Sequence, residues 1–256
     1  MRAWRRLHAV GAALAAALLV GCTSQPPVPQ WRLDLRQAVE QGTLAYLQGH
    51  DRSAALHVQR AQQAAAQGAQ APALARQALA HCAAQLAALQ GQGCAAAAPY
   101  LADATVAEQS YAAWLAGWPA RPWDGPGRPD AAALPPAARA LAQAWPAPPA
   151  ADLAHWLMGL DDPLTRLVAG GWLWHAAGLD AAAVAVLVDT ASEQGWRRPL
   201  AAWLAVQQRM AQRLGDTTTA AQAQRRLDWL LRPQAAPAAG SPSGPAVADP
   251  AAPDPR

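Results

Sequence analysis

Between Trp31 and Leu231 the chain is cut into short helical segments by Asp or Pro at their beginnings and Gly at their ends, and this punctuation narrows the folds open to it. Asp162-Pro163 opens one segment that Gly178 closes, and Asp180 opens the next, which ends near Gly195. Pro199 opens another, ending at Gly215, and Asp216 opens the last, which runs to about Leu231. An acceptor side chain or a φ-restricted Pro suits a helix start, where backbone N–H groups lack partners, and Gly suits the turn that ends one. Helices of about 15 residues joined by two or three residues have to run antiparallel. No strand-like alternation competes. The expected fold is all-α, built from antiparallel helical hairpins.

The same reading extends toward the N-terminus. Leu33 to Gln48 and Arg52 to Gln67 form a hairpin across Gly49-His50-Asp51, and Pro72 opens a helix to about Leu89. Thr105 and Glu108 match a capping box leading into Tyr111, Trp114 and Leu115. Residues 31–117 are thus an N-terminal helical half. Over 118–135 Pro, Gly and Trp are too dense for a helix. Residues 136–232 hold the C-terminal hairpins, starting with a short helix from about Pro136 to Trp145 and a break at Pro146 to Pro149. Residues 233–256 are mostly Ala, Pro, Gly, Ser and Asp, cannot bury a core, and read as a disordered tail. Alanine buries little area, so the 12 Trp, in a chain with no Phe, are expected to carry much of the core.

The first residues carry a different signal. Arg2, Arg5 and Arg6 precede an uncharged run from Ala9 to Val20, too short to span a bilayer, which ends Leu19-Val20-Gly21-Cys22. That ending resembles the lipobox of bacterial lipoproteins. The resemblance implies that residues 1–21 are a signal peptide and are removed. It also implies that the Cys22 thiol receives a diacylglycerol and that the new amino group is acylated. Two or three acyl chains hold a domain at a membrane where one binds only marginally. Residues 22–30, rich in Pro and Gln, then read as a lipidated tether. Arg5-Arg6 lacks the surroundings of a twin-arginine signal, which leaves the general export route. Thr23 stands where Asp commonly means inner-membrane retention in Gram-negative bacteria, so the expected location is the periplasmic face of the outer membrane.

Loss of Arg2, Arg5 and Arg6 takes the formal charge from +3 to zero, and a neutral domain offers no footprint for nucleic acid. Cys82 and Cys94 remain. In an oxidising periplasm an isolated pair reads as a disulfide, whose loop of roughly 13 residues would add about 3 kcal/mol. A metal or redox site that includes His81 is the alternative, although the spacing is neither that of a zinc knuckle nor Cys-x-x-Cys.

Three turns share one spacing. Gly49 is followed by Ala54, Val58 and Ala61; Gly178 by Ala183, Leu187 and Thr190; Gly215 by Ala220, Gln224 and Leu227. A glycine turn, a small residue, a larger one and a small or apolar one resemble the second helix of a tetratricopeptide repeat. In that family small residues let the paired helices close on each other while the larger one fills the gap to the next pair. The resemblance implies a tetratricopeptide-like α-solenoid. Gln224 departs from the pattern, and the first-helix signature of the family is intact in no copy. The strings around Ala80-His81-Cys82, Cys94, Ala107-Glu108-Gln109-Ser110-Tyr111 and Gln194-Gly195-Trp196-Arg197-Arg198-Pro199-Leu200 also look like uncharacterised lipoproteins of proteobacteria, which implies no activity.

Enzyme motifs do not emerge. Gly170-Gly171 lies in an apolar helical run, where close packing or a kink explains it better than a phosphate loop does. Gly240-Ser241-Pro242-Ser243-Gly244 matches a nucleophile elbow in letters only and lies in the tail. Asp162 before Pro163 is a cap. No cofactor, metal or catalytic residue is expected. Binding is the positive expectation: Trp114, Trp118, Trp123, Trp172 and Trp174 offer either aromatic surface or core, and Trp with Arg is typical of interface anchors. Trp118, Trp123, Trp196, Arg197 and Arg198 are the candidate partner-binding residues. Arg197 and Arg198 begin a helix, where positive charge is unfavourable, so they are expected to reach an acidic cap or a partner's carboxylate. The expected function is that of a lipid-anchored adaptor or assembly accessory for an envelope protein. The alternatives are a peptidoglycan-related hydrolase built on Asp161, His155 and His175, or a structural spacer.

Overall fold

A computed structural model describes residues 27–146 and 152–232. The expected signal peptide, Cys22 and most of the expected tether, the centre of the Pro-rich break and the expected tail lie outside the described residues. Among the described residues there are eleven α-helices and no strands, and the helices pack as antiparallel pairs. They are α1 (Gln30–Gln48), α2 (Asp51–Gln67), α3 (Ala71–Ala87), α4 (Ala98–Leu101), α5 (Val106–Leu115) and α6 (Pro136–Ala144), then α7 (Leu153–Met158), α8 (Pro163–Ala176), α9 (Ala181–Glu193), α10 (Arg197–Leu214) and α11 (Thr217–Leu231). No described helix is long and apolar enough to cross a membrane. The chain divides into two compact units after Trp203, within α10.

The expected punctuation acts as such. Asp162 accepts from the Thr165 N–H (2.7 Å), Asp180 from Ala183 (2.7 Å) and Asp216 from Thr219 (3.0 Å). Gly49 closes α1 with φ 83°, a left-handed conformation that a side chain disfavours, and Gly178 and Gly215 do the same in their turns. The capping box forms, with the Thr105 N–H donating to Glu108 Oε2 at 3.2 Å. Four short elements lie outside the expected segments: a 3-10 turn at Ala95–Ala97, α4, α7 and a 3-10 turn at Ala131–Ala133 inside the loop read as helix-free. Two of them carry a side-chain cap. Asp152 caps α7 through the His155 N–H, and Asp130 accepts from the Ala132 N–H while its own N–H reaches Ser110. Helix α3 ends at Ala87, and Leu89 takes φ 56°, a position that glycine usually holds.

In the first unit α3 is the hub, packing against α1, α2, α5 and α8. Its alanines make that possible: Ala75, Ala84 and Ala87 are fully enclosed. The crossing with α8 is tighter still. A Cβ on Gly171 would lie 2.4 Å from the carbonyl oxygen of Leu86, and one on Gly170 would lie 2.5 Å from a Leu187 methyl. Close packing therefore accounts for this glycine pair. The core role expected of tryptophan falls to Trp114, Trp172 and Trp203. Trp172 donates its indole N–H to the Trp114 carbonyl and Trp203 donates to Ala87, both at 3.0 Å. Of the two readings of Trp114 and Trp172, surface or core, the core is what the structure has: both are enclosed. Cys82 on α3 and Cys94 are joined by a disulfide with their Cα atoms 5.6 Å apart. In the second unit Ala211, Ala223 and Leu227 are buried, and the Gln208 amide donates to Gln224. Trp229 there is 61% exposed, so it takes no part in a core.

Candidate functional site

Four helices of the first unit turn one stripe each toward a common groove of about 880 Å³. Helix α1 contributes Val39, Thr43 and Leu47, with Glu40 and Leu44 beside them, and α3 contributes Arg76, Leu79, Ala80 and Ala83. Helix α5 contributes Ala107, Glu108, Tyr111 and Trp114; α8 contributes Leu164, Thr165, Val168 and Ala169. The steps of three and four residues along each helix are those of a single helical face. Leu134 and the start of α6 close one wall, and Trp196 lines it too. Leu44 is 46% exposed, an apolar side chain left uncovered at the groove.

Beside these apolar walls stands one built polar contact. Glu108 is 5% exposed and its Oε1 accepts from Arg76 at 2.5 and 3.1 Å, while Oε2 takes the Thr105 N–H and hydroxyl. Burial alone would push the Glu108 carboxyl up, but the Thr105 and Arg76 hydrogen bonds outweigh it and hold it below the usual range. Arg76 keeps 71% of its side chain exposed. Tyr111, next along the same face, has its phenol pushed up to about 12 by burial. Its ring lies parallel to Trp114 (5.8 Å, 8°), and Trp114 lies parallel to Trp172 (5.7 Å, 5°). The Trp114 indole N–H is buried without a partner.

A carboxylate with a depressed pKa contributes stability that is present above the ordinary carboxylate range and is lost as pH falls through the folded value. Glu108→Gln is therefore expected to cost about 1–3 kcal/mol near neutral pH, from the weakened hydrogen-bond set. It should also flatten the acid limb of the stability profile below about pH 4.5. Urea unfolding of both proteins across that range checks this; parallel profiles would refute it.

The candidate partner residues separate. Trp196 is half-buried in the groove wall, where with Leu164 it packs on a cluster that includes Tyr46, Leu47 and Ala84. Arg197 is half-buried beside it. Arg198 turns inward: its Nε donates to the Tyr46 carbonyl (2.8 Å), its guanidinium lies 4.4 Å from the centre of the Tyr46 ring, and it pairs with Asp51. Asp51 stands in the first turn of α2, so Arg198 reaches the acidic helix start expected of it, within its own chain. Trp118 and Trp123 are half-buried in the loop and do not line the groove; the Trp123 indole N–H points to the Pro126 carbonyl at 3.4 Å. Nor do His155, Asp161 or His175 line it. His155 and Asp161 are exposed, and His175, half-buried at the end of α8, has its pKa lowered first by burial and then by Arg121. Among the described residues no group of three His, Cys, Asp or Glu is placed to hold a metal.

Sequence reasoning placed Tyr111 and Glu108 on one helix but did not single out Arg76, Leu44 or Leu164. The available signal was the apolar step of three and four residues recurring on separate helices; nothing local says that those faces meet. Comparison with protein families, with curated proteins and with solved structures finds no match.

Proposed function

We propose that this chain is an envelope adaptor, anchored by acylated Cys22, whose groove receives a segment of another envelope protein. The open apolar groove in the first unit carries the reading. An uncovered apolar concavity of this size, with a few polar groups at its edge, is the usual form of a binding site. The lipobox-like Leu19-Val20-Gly21-Cys22 supports the anchor, and Thr23 the outer membrane facing the periplasm. The Cys82–Cys94 disulfide fits an oxidising compartment. Stacking like that of tetratricopeptide repeats belongs to the same proposal. Ala54, Ala61, Ala183 and Leu187 are buried on the second helices of their pairs, as the spacing requires, while Gln224 in the third copy is exposed.

Cys22→Ser tests the anchor. Labelled palmitate is expected to enter the wild type and not the variant, and the variant is expected to leave the membrane fraction for the soluble periplasm. Proximity crosslinking in the same cells is expected to capture one envelope complex with the wild type and to lose it with the variant. Capture of abundant neighbours alone, equal for both proteins, would defeat the adaptor reading and favour a spacer or an enzyme.

A further inference from the structure

We infer that the occupant of the groove is an amphipathic α-helix of a partner protein, lying where the bundle lacks a helix of its own. The inference rests on the groove being a protein-binding site.

Three observations lead to it. First, the walls are helices, whose backbone N–H and C=O groups are bonded internally along most of their length. They offer no ladder to an extended segment, which would bring its own backbone polar groups into an apolar trough unpaired, at a cost in free energy. A helix arrives with those groups already satisfied. Second, the stripes on α1, α3, α5 and α8 are the faces that helices use to pack on helices, and all four meet one empty volume. Ala80 and Ala83 on α3, Ala107 on α5 and Ala169 on α8 keep those faces low, so another helix can approach closely. A helix is about 10–12 Å across and rises about 1.5 Å per residue, so the 880 Å³ space takes roughly two turns fully sunk, or about four turns seated to half depth. An acyl chain, one methylene wide, would leave much of that space unfilled and its apolar lining without contacts.

Third, the charged residues at the groove have both signs. Arg76, paired with Glu108 but mostly exposed, and Arg139 stand on α3 and α6, and Glu40, Glu108 and Asp162 on α1, on α5 and at the start of α8. This suits a helix carrying acids and bases on its outer face, with apolar residues at i, i+3, i+4 and i+7 inward. It does not suit a ligand with a single negative head.

The test uses the full-length protein in the cells that make it. Benzoylphenylalanine is placed in turn at Leu44, Ala107 and Arg139, which line the groove and are exposed enough to accept it. After irradiation, the crosslinked residues are mapped on whatever is captured. Adducts spaced three and four residues apart along one segment of a partner support the inference. Ala107→Trp, which fills the groove from an exposed position, is then expected to lower the Leu44 adduct yield at least ten-fold. Adducts at alternate residues would overturn the helix while leaving the adaptor reading intact. Adducts to lipid, to a second copy of this chain, or to nothing would overturn both.

Discussion

Trp172→Ala is expected to lower the unfolding free energy by about 4–5 kcal/mol, at the upper end for a buried aromatic truncation. The indole is 2% exposed, lies parallel to Trp114 and meets Trp145 edge-on at 5.4 Å. Truncation removes that volume from between two rigid indoles, Trp114 and Trp145, which cannot bend to close the gap. It also strips the Trp114 carbonyl of the 3.0 Å hydrogen bond it receives. Trp114→Phe gives the internal comparison. It keeps a ring in the stack and deletes an N–H that has no partner, so it is expected to cost about 1 kcal/mol less than Trp172→Phe, which deletes one that has. Denaturant midpoints and slopes for the three variants decide the matter. Equal losses for the two Phe variants would mean that the hydrogen bond contributes nothing, and a Trp172→Ala loss under 2 kcal/mol would mean that the surroundings collapse freely.

Gly171→Ala is expected to destabilise by about 2–3 kcal/mol, although alanine is the better helix former by roughly 1 kcal/mol. The added methyl would meet the Leu86 carbonyl oxygen at 2.4 Å, a backbone atom of the last turn of α3, which can yield only if that turn shifts or α3 and α8 move apart. Gly170→Ala meets the terminal carbons of Leu187 at 2.5 and 2.6 Å, which can rotate, so its cost is expected to stay near zero to 1 kcal/mol. Two neighbouring glycines in one helix thus differ in expected cost through the stiffness of what they face. Thermal unfolding of the pair measures the difference; similar midpoints would show that the helices can separate at little cost.

Much of the fold was legible because its determinants are local. A cap is decided within three residues, as at Asp162 and Thr165 or Asp180 and Ala183, and a left-handed turn by one glycine, as at Gly49. The elements that escaped are too short to show a helical period, and two of them, α7 and the turn at Ala131–Ala133, rest on a single capping Asp each. The groove escaped for a different reason. Val39, Leu79, Tyr111 and Val168 each read as ordinary core positions, and only the packing of α3 on its neighbours leaves their stripes facing an unfilled space. Arg198 shows the intermediate case. Its position at a helix start said that it needs an acid, and the identity of that acid, Asp51, is separated from it by 147 residues.

That separation has a consequence in time. The turn between α1 and α2 offers Asp51 and the Tyr46 carbonyl to a side chain that leaves the ribosome about 150 residues later. Until it arrives, the first hairpin lacks Arg198 over the Tyr46 ring and Trp196 against Tyr46 and Leu47. The N-terminal pair is therefore early in the chain and late to acquire its full set of contacts, wherever the domain folds.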